Sequence, residues 1–161
     1  MMKEKKLEED INFMREALKC AGQAYGLKEV PVGAVLVLGG RIIARAYNTV
    51  EMDGDATSHA EIKAIRAGSV ALGGWRLQDC TLYTTLEPCS MCAGAMFLSR
   101  VCRVVYGAPD LRHGACGTFV DLFEKRHPIH QVLVEGGVLQ EECAAIMRQF
   151  FKERREEKDG I

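Results

Sequence analysis

The sequence holds no long hydrophobic run. Nowhere do its 161 residues approach the ~18 consecutive apolar side chains of a membrane-spanning helix, so no membrane partner is expected. The opening segment, MMKEKKLEEDINF, is densely charged and no apolar stretch follows it. That argues against a secretory signal peptide, and the expected compartment is the cytoplasm. Neither charge sign dominates: 21 Lys and Arg against 22 Asp and Glu leave a formal net charge of -1. The overall basic surplus typical of non-specific polyanion binding is lacking, so such a partner needs a local basic patch. No repeat, low-complexity segment or interdomain linker is visible. A single domain, residues 1–161, is expected.

The cysteines number 7, an odd count, and most of them lie inside apolar runs. A disulfide framework favours an even count in a smaller, loop-rich chain. Reduced thiols are expected, with any closely spaced pair a candidate for metal binding or catalysis.

Apolar spacing outlines the elements. Leu7, Ile11, Met14, Leu18, Ala21 and Tyr25 recur at helical steps over 5–25. VGAVLVL (32–38), a Gly39-Gly40 turn and RIIARAY (41–47) form a hairpin signal. A polar loop, 48–58, follows, and Thr57 or Ser58 is expected to cap a helix over 59–67 that Gly68 ends. A strand over 81–86, a helix over 89–98 opened by Pro88, and a strand over 103–107 come next. A short helix is expected over 118–124, a strand over 131–134 and a last helix over 139–157. Strands alternating with helices imply an α/β fold whose mainly parallel sheet is covered on both faces, with the first hairpin adding an antiparallel pair.

Two short pieces carry chemistry: His59-Ala60-Glu61 and Pro88-Cys89-Ser90-Met91-Cys92, each at an expected helix start. Cys89 and Cys92 are spaced to share a helix face in the first turn, where the helix dipole favours thiolate. Two thiolates and the His59 imidazole make a three-donor set, and a tetrahedral zinc ion so held keeps a position for water. Glu61 is expected beside that water, not on the metal, as a carrier of protons. The spacing H-x-E…P-C-x-x-C is similar to the signature of zinc-dependent nucleobase deaminases.

Other readings explain less. A redox Cys89/Cys92 pair leaves His59 and Glu61 without a role. A closed structural zinc requires a fourth protein ligand, for which Cys80 and Cys102 are the candidates. Cys20, Cys80, Cys102, Cys116 and Cys143 are otherwise expected as core or incidental residues, His113, His127 and His130 as exposed loop residues, and Trp75 as packing.

The chain also resembles the bacterial tRNA-specific adenosine deaminases over about residues 10–155. The resemblance is carried by EVPVGAV (29–35), Tyr47-Asn48, HAEI (59–62), TLYTTLEPCSMCAGAMFLSR (81–100), RVVYGAPD (103–110) and ECAAIMRQFFKERR (142–155). It implies a cytidine deaminase-like three-layer α/β/α sandwich with a central mixed sheet. One zinc ion per chain would be held by His59, Cys89 and Cys92, with Glu61 as proton shuttle. Asn48 would hydrogen-bond the flipped base and Asp110 would lie beside the target ribose. The partners implied are a tRNA anticodon stem-loop and a second copy in a homodimer, with the C-terminal helix, Phe150 to Arg155, close to the RNA. Candidate RNA contacts are Arg112, Phe150, Lys152, Arg154 and Arg155, in a phosphate-facing patch extending to Arg100, Arg103, Lys125 and Arg126. The expected reaction converts wobble adenosine to inosine by attack of zinc-bound hydroxide on C6. Deamination of a free base or nucleoside and a zinc-stabilised interaction module remain as alternatives.

Overall fold

The computed structural model describes residues 1–160. Its elements, in chain order, are α1 (Met2–Gly26), β1 (Gly33–Leu38), β2 (Arg41–Tyr47), α2 (Val50–Asp53), α3 (Ala60–Leu72), β3 (Cys80–Leu86), α4 (Ser90–Ser99), β4 (Arg103–Ala108), β5 (Leu133–Gly136) and α5 (Gln140–Asp159). The sheet order is β2-β1-β3-β4-β5. Both β1–β2 and β1–β3 are antiparallel, and β3–β4 and β4–β5 are parallel. The sheet is therefore evenly mixed rather than mainly parallel: chain direction reverses inside it, at β1, as well as at the edge hairpin.

Helices cover both faces. On one, Ala60, Ala64 and Ile65 of α3 and Cys92, Met96 and Phe97 of α4 pack with Leu36, Leu82 and Val104 of the sheet. On the other, Met14, Ala17 and Cys20 of α1 and Cys143 of α5 pack with Val35, Tyr83 and Val105. Strand residues alternate between these two clusters with the period of two that a pleated strand imposes.

The contact between α1 and the sheet keeps Met14 and Ala21 of the expected face in the core, with Ile11 and Leu18 packed against it, and is extended by small residues. Ala17, Cys20, Ala21 and Ala24 are buried, whereas Leu7 is 50% exposed. Gly33 explains the small residues: a Cβ there would stand 2.0 Å from the Ala17 carbonyl oxygen and 2.4 Å from the Ala21 nitrogen. Backbone meets backbone, so small side chains take the contact and larger ones move to the flanks.

Four local expectations are corrected. Gly68 does not end α3, which runs to Leu72 and stops at Gly73 (φ 70°). Gly68 instead admits Leu36, whose Cδ2 would be 2.3 Å from a Cβ at that position. The cap position of α3 belongs to His59, not to Thr57 or Ser58. The 118–124 segment is not helical; Asp121 folds it into turns by accepting the Phe123 and Glu124 amides. The polar loop 48–58 contains a helical turn, α2, that lacks its own side-chain cap.

One buried ion pair ties the layers. Asp10 of α1, 2% exposed, accepts from Arg103 Nη1 and Nη2 at 2.8 and 2.6 Å and from the Tyr83 hydroxyl at 2.7 Å. Arg103 also pairs with Glu135 of β5. Arg103 therefore belongs to the frame of the molecule and not to a phosphate-facing patch.

Candidate active site

The site forms where α3 and α4 begin. His59 and Cys89 occupy the two N-cap positions, both with extended backbone. This geometry directs their side chains toward the amide-rich helix ends, and Cys92 follows one turn along α4. His59 Nδ1 lies 3.6 Å from Cys89 Sγ and 3.6 Å from Cys92 Sγ. The three ligand atoms all lie within 4.8 Å of one another, and they form the only such cluster among the described residues. One imidazole and two thiols are the soft and borderline donors that zinc favours. No further protein donor joins them, which leaves room for water. Cys80 and Cys102 are remote from the cluster: they begin β3 and precede β4, joined through the Cys102 amide and the Cys80 carbonyl at 3.0 Å.

Glu61 is 3% exposed. Thr84 donates to its Oε1 at 2.7 Å and the Cys92 thiol donates to its Oε2 at 2.8 Å. Burial pushes the Glu61 carboxyl above the usual range, against the opposing pull of Cys92, Thr84 and His59. His59 is raised as well, chiefly by its hydrogen bond with Cys89, with burial opposing. The hydrogen bond from Cys92 holds Cys89 down to about 3, against burial and with help from His59. Cys92, beside that thiolate and buried, is pushed up.

Two more expected residues, Asn48 and Asp110, lie outside the donor set. Asn48 is 6% exposed and donates from Nδ2 to Glu29 Oε2 at 3.4 Å. Asp110 is half-buried, and its negative charge contributes to the raised His59. Its Oδ1 accepts the Arg112 and His113 amides at 3.0 and 3.3 Å.

Sequence reasoning missed the carboxylates behind these residues. Glu29, 1% exposed, takes the Met52 and Glu51 amides at 2.6 and 3.2 Å; it supplies the missing cap of α2 as well as holding Asn48. Glu87, 2% exposed, receives donors from the 110–118 loop. The available signal was placement: both are charged residues in apolar, proline-flanked stretches, where an unpaired carboxylate would be prohibitively costly.

The expected RNA contacts divide. Arg112, Lys152, Arg154 and Arg155 are at the surface, and Arg154 and Arg155 line a surface cleft with Phe151, Glu157 and Lys158. Phe150 is a correction: it is 6% exposed and packs edge-on against Tyr25, ring centroids 6.0 Å apart. It follows Cys143 by two helical turns, so the helical repeat puts both on the core face. Its neighbour Phe151, 41% exposed, is the aromatic that faces outward. His127 stacks on Phe97 at 4.8 Å, and His130 Nε2 lies 2.7 Å from the Val101 carbonyl, so of the three only His113 is an exposed loop histidine. Trp75 is 49% exposed and packs mainly with the Arg76 and Arg100 guanidinium groups.

Comparison with known proteins agrees with this geometry. Residues 7–108 match the cytidine and deoxycytidylate deaminase zinc-binding region. The tRNA-specific adenosine deaminase of Bacillus subtilis (strain 168) is 48% identical over 152 residues, covering 94% of each chain. The chloroplastic tRNA(adenine(34)) deaminase of Arabidopsis thaliana is 51% identical over 90% of this chain and 12% of its own length. A solved structure from a study of A-to-I editing by tRNA:A34 deaminases superposes with a TM-score of 0.80 at 45% identity, covering 84% of this chain and 98% of the other. Guanine deaminase from Bacillus subtilis superposes at 0.60 with 33% identity, covering 86% and 91%. The His59, Cys89 and Cys92 donor set is a zinc site of this kind, and the chain belongs to the tRNA-specific adenosine deaminase family of zinc-dependent hydrolytic deaminases.

Proposed function

We propose that this protein deaminates adenosine to inosine at the wobble position of a tRNA anticodon. The observation that carries the reading is Glu61: a buried carboxylate in the first turn of α3, hydrogen-bonded to one member of a zinc-competent donor set and backed by Thr84. His59, Cys89 and Cys92 would hold one zinc ion, which when bound would supply the Lewis acidity that makes water nucleophilic near neutral pH. Glu61 would accept a proton from the attacking water on its carboxylate. It would deliver that proton to N1 of the adenine, then take the proton of the hydroxyl newly placed on C6 and pass it to the amine, which leaves as ammonia as the C6 carbonyl forms. Asn48, fixed by Glu29, meets the edge of the flipped base, and Asp110 meets the ribose. Burial keeps bulk water from competing for the Glu61 proton.

Arg112, Lys152, Arg154 and Arg155 neutralise phosphates of the anticodon stem-loop, a local patch on a chain that is nearly neutral overall. A homodimer is supported by apolar side chains on the outer surface of α3 and α4, Val70 at 83% and Leu98 at 71% exposure. No helix among the described residues is long and apolar enough to cross a membrane, and a tRNA substrate favours the cytoplasm.

The test is mass spectrometry of a synthetic anticodon stem-loop with adenosine at the wobble position, after incubation with the zinc-loaded protein. A gain of about one mass unit at that nucleotide, the exchange of NH for O, is expected. The likeness to guanine deaminase supports a second reading, a free purine. Release of ammonia from guanine or adenosine with an unaltered stem-loop would favour it.

A further inference from the structure

Glu87 lies two residues before Cys89 and does not face the donor set. Both of its carboxylate oxygens are turned to the loop that follows β4. Oε1 accepts the Asp110 amide at 3.1 Å, and Oε2 accepts the Cys116 and Thr118 amides at 2.9 and 3.3 Å. The Thr118 hydroxyl donates to Oε1 as well. Three amides and a hydroxyl from a loop 23–31 residues away in sequence therefore converge on one side chain with 2% exposure.

The same loop is pinned beside the metal-site helix. Gly114 bridges to Cys89, and the Ala115 amide donates to the Pro88 carbonyl at 2.8 Å. Gly114 has no room for a side chain, because a Cβ would stand 2.4 Å from the Glu87 carboxylate. The loop is wrapped around Glu87, and Asp110 is its first wrapped residue. Without that carboxylate, three amides would have no acceptor and the backbone under Asp110 would be free to move.

We propose that Glu87 is a positioning residue: it presets the 110–118 loop so that Asp110 meets the substrate ribose in register with the zinc donors. The proposal rests on the reading of Asp110 as a substrate contact. Glu87 touches neither substrate nor metal and acts through the loop alone.

A double-mutant cycle tests it. Glu87→Gln, Asp110→Ala and the double variant are assayed for kcat/KM on the wobble-adenosine stem-loop, for zinc content and by amide hydrogen exchange. Glu87→Gln sets a side-chain NH2 against backbone donors, so it is expected to lower kcat/KM by roughly ten- to a hundredfold through misplacement, with full zinc content. The double variant is expected to be no worse than Asp110→Ala, since coupled residues do not add. The Asp110, Cys116 and Thr118 amides are expected to exchange at least roughly tenfold faster in Glu87→Gln. Additive losses, or loss of zinc from Glu87→Gln, would overturn the proposal. If the wild-type protein left the stem-loop unaltered, the proposed substrate would fail, and amide exchange alone would decide the positioning: unchanged protection at those amides rejects it. Should Glu87→Gln not fold, Thr118→Ala removes one donor from an exposed residue, and its effect must vanish in the Asp110→Ala background.

Discussion

Thr84, near the end of β3, donates its hydroxyl to Glu61 Oε1 across 2.7 Å, and both residues are buried. The sheet thus holds the carboxylate of α3 from below while the Cys92 thiol approaches its other oxygen. A proton carrier needs this restraint, because transfer requires the carboxylate within hydrogen-bond reach of both donor and acceptor. Glu61→Ala is expected to keep its zinc and to lower turnover by roughly 10²–10⁴-fold. Metal analysis alongside single-turnover kinetics checks this, and a variant that released its zinc along with its activity would make Glu61 part of the metal site.

Chelation of zinc is expected to abolish activity and lower the melting temperature, since a ligand bound only by the folded state stabilises it. Added zinc should restore both. Cys89→Ser exchanges the thiolate for a poor zinc donor and should reduce bound metal even in excess zinc, as read by metal analysis. Cys80→Ser and Cys102→Ser should leave the zinc content unchanged, because neither belongs to the cluster.

The Asp10–Arg103 pair makes stability depend on acid. Burial raises the Asp10 carboxyl, but hydrogen bonds from Arg103 and Tyr83, with the Arg103 charge, outweigh it and hold it below the ordinary value. A depressed folded-state pKa contributes stability above the unfolded value of about 3.9 and loses it as the pH falls through the folded one. Asp10→Asn should therefore destabilise the protein near neutral pH and differ progressively less from wild type below about pH 4. Asp10→Ala, which leaves the Arg103 guanidinium only its pair with the half-exposed Glu135, should destabilise the protein more than Asp10→Asn. Urea midpoints at the two pH values measure both.

Gly33 and Gly22 predict opposite signs for one chemical change. Gly33→Ala drives a methyl into the α1 backbone and should cost about 1–3 kcal/mol or more. Gly22, inside α1, has nothing within 4 Å of a Cβ, so Gly22→Ala should stabilise by roughly 0.5–1 kcal/mol. Denaturation midpoints separate the two.

Charge reversal at Arg154 and Arg155 should weaken stem-loop binding and flatten its dependence on salt, by about one unit of slope for each phosphate that is no longer neutralised. Fluorescence anisotropy across a salt series measures this; an unchanged slope would remove α5 from the RNA surface. Phe150→Ala should act differently, destabilising the fold by about 3–5 kcal/mol because its packing against Tyr25 disappears.

The chemistry was legible along the chain because its donors are local. His59 with Glu61, and Cys89 with Cys92, lie within a few residues of each other, and each group opens a helix whose apolar period is a sequence property. The layered α/β character followed from the same periods. What only the tertiary structure decided depends on contacts between distant segments. The antiparallel β1–β3 pairing is a choice of neighbour that no local pattern encodes. Gly68 carries the features of a helix stop, yet it is a packing notch for Leu36. Leu7 has the right period for the core face that Met14 and Ala21 do occupy, but it is left exposed, and the close approach of Gly33 brings Ala17 into that contact. Phe150 and Phe151 are adjacent aromatics in one helix; the seven-residue step from Cys143 marks Phe150 as the core one, and the fold supplies the partner it packs on, Tyr25. Glu29 and Glu87 needed the fold most of all: a buried carboxylate takes its role from the amides that reach it, and those amides come from loops over twenty residues away.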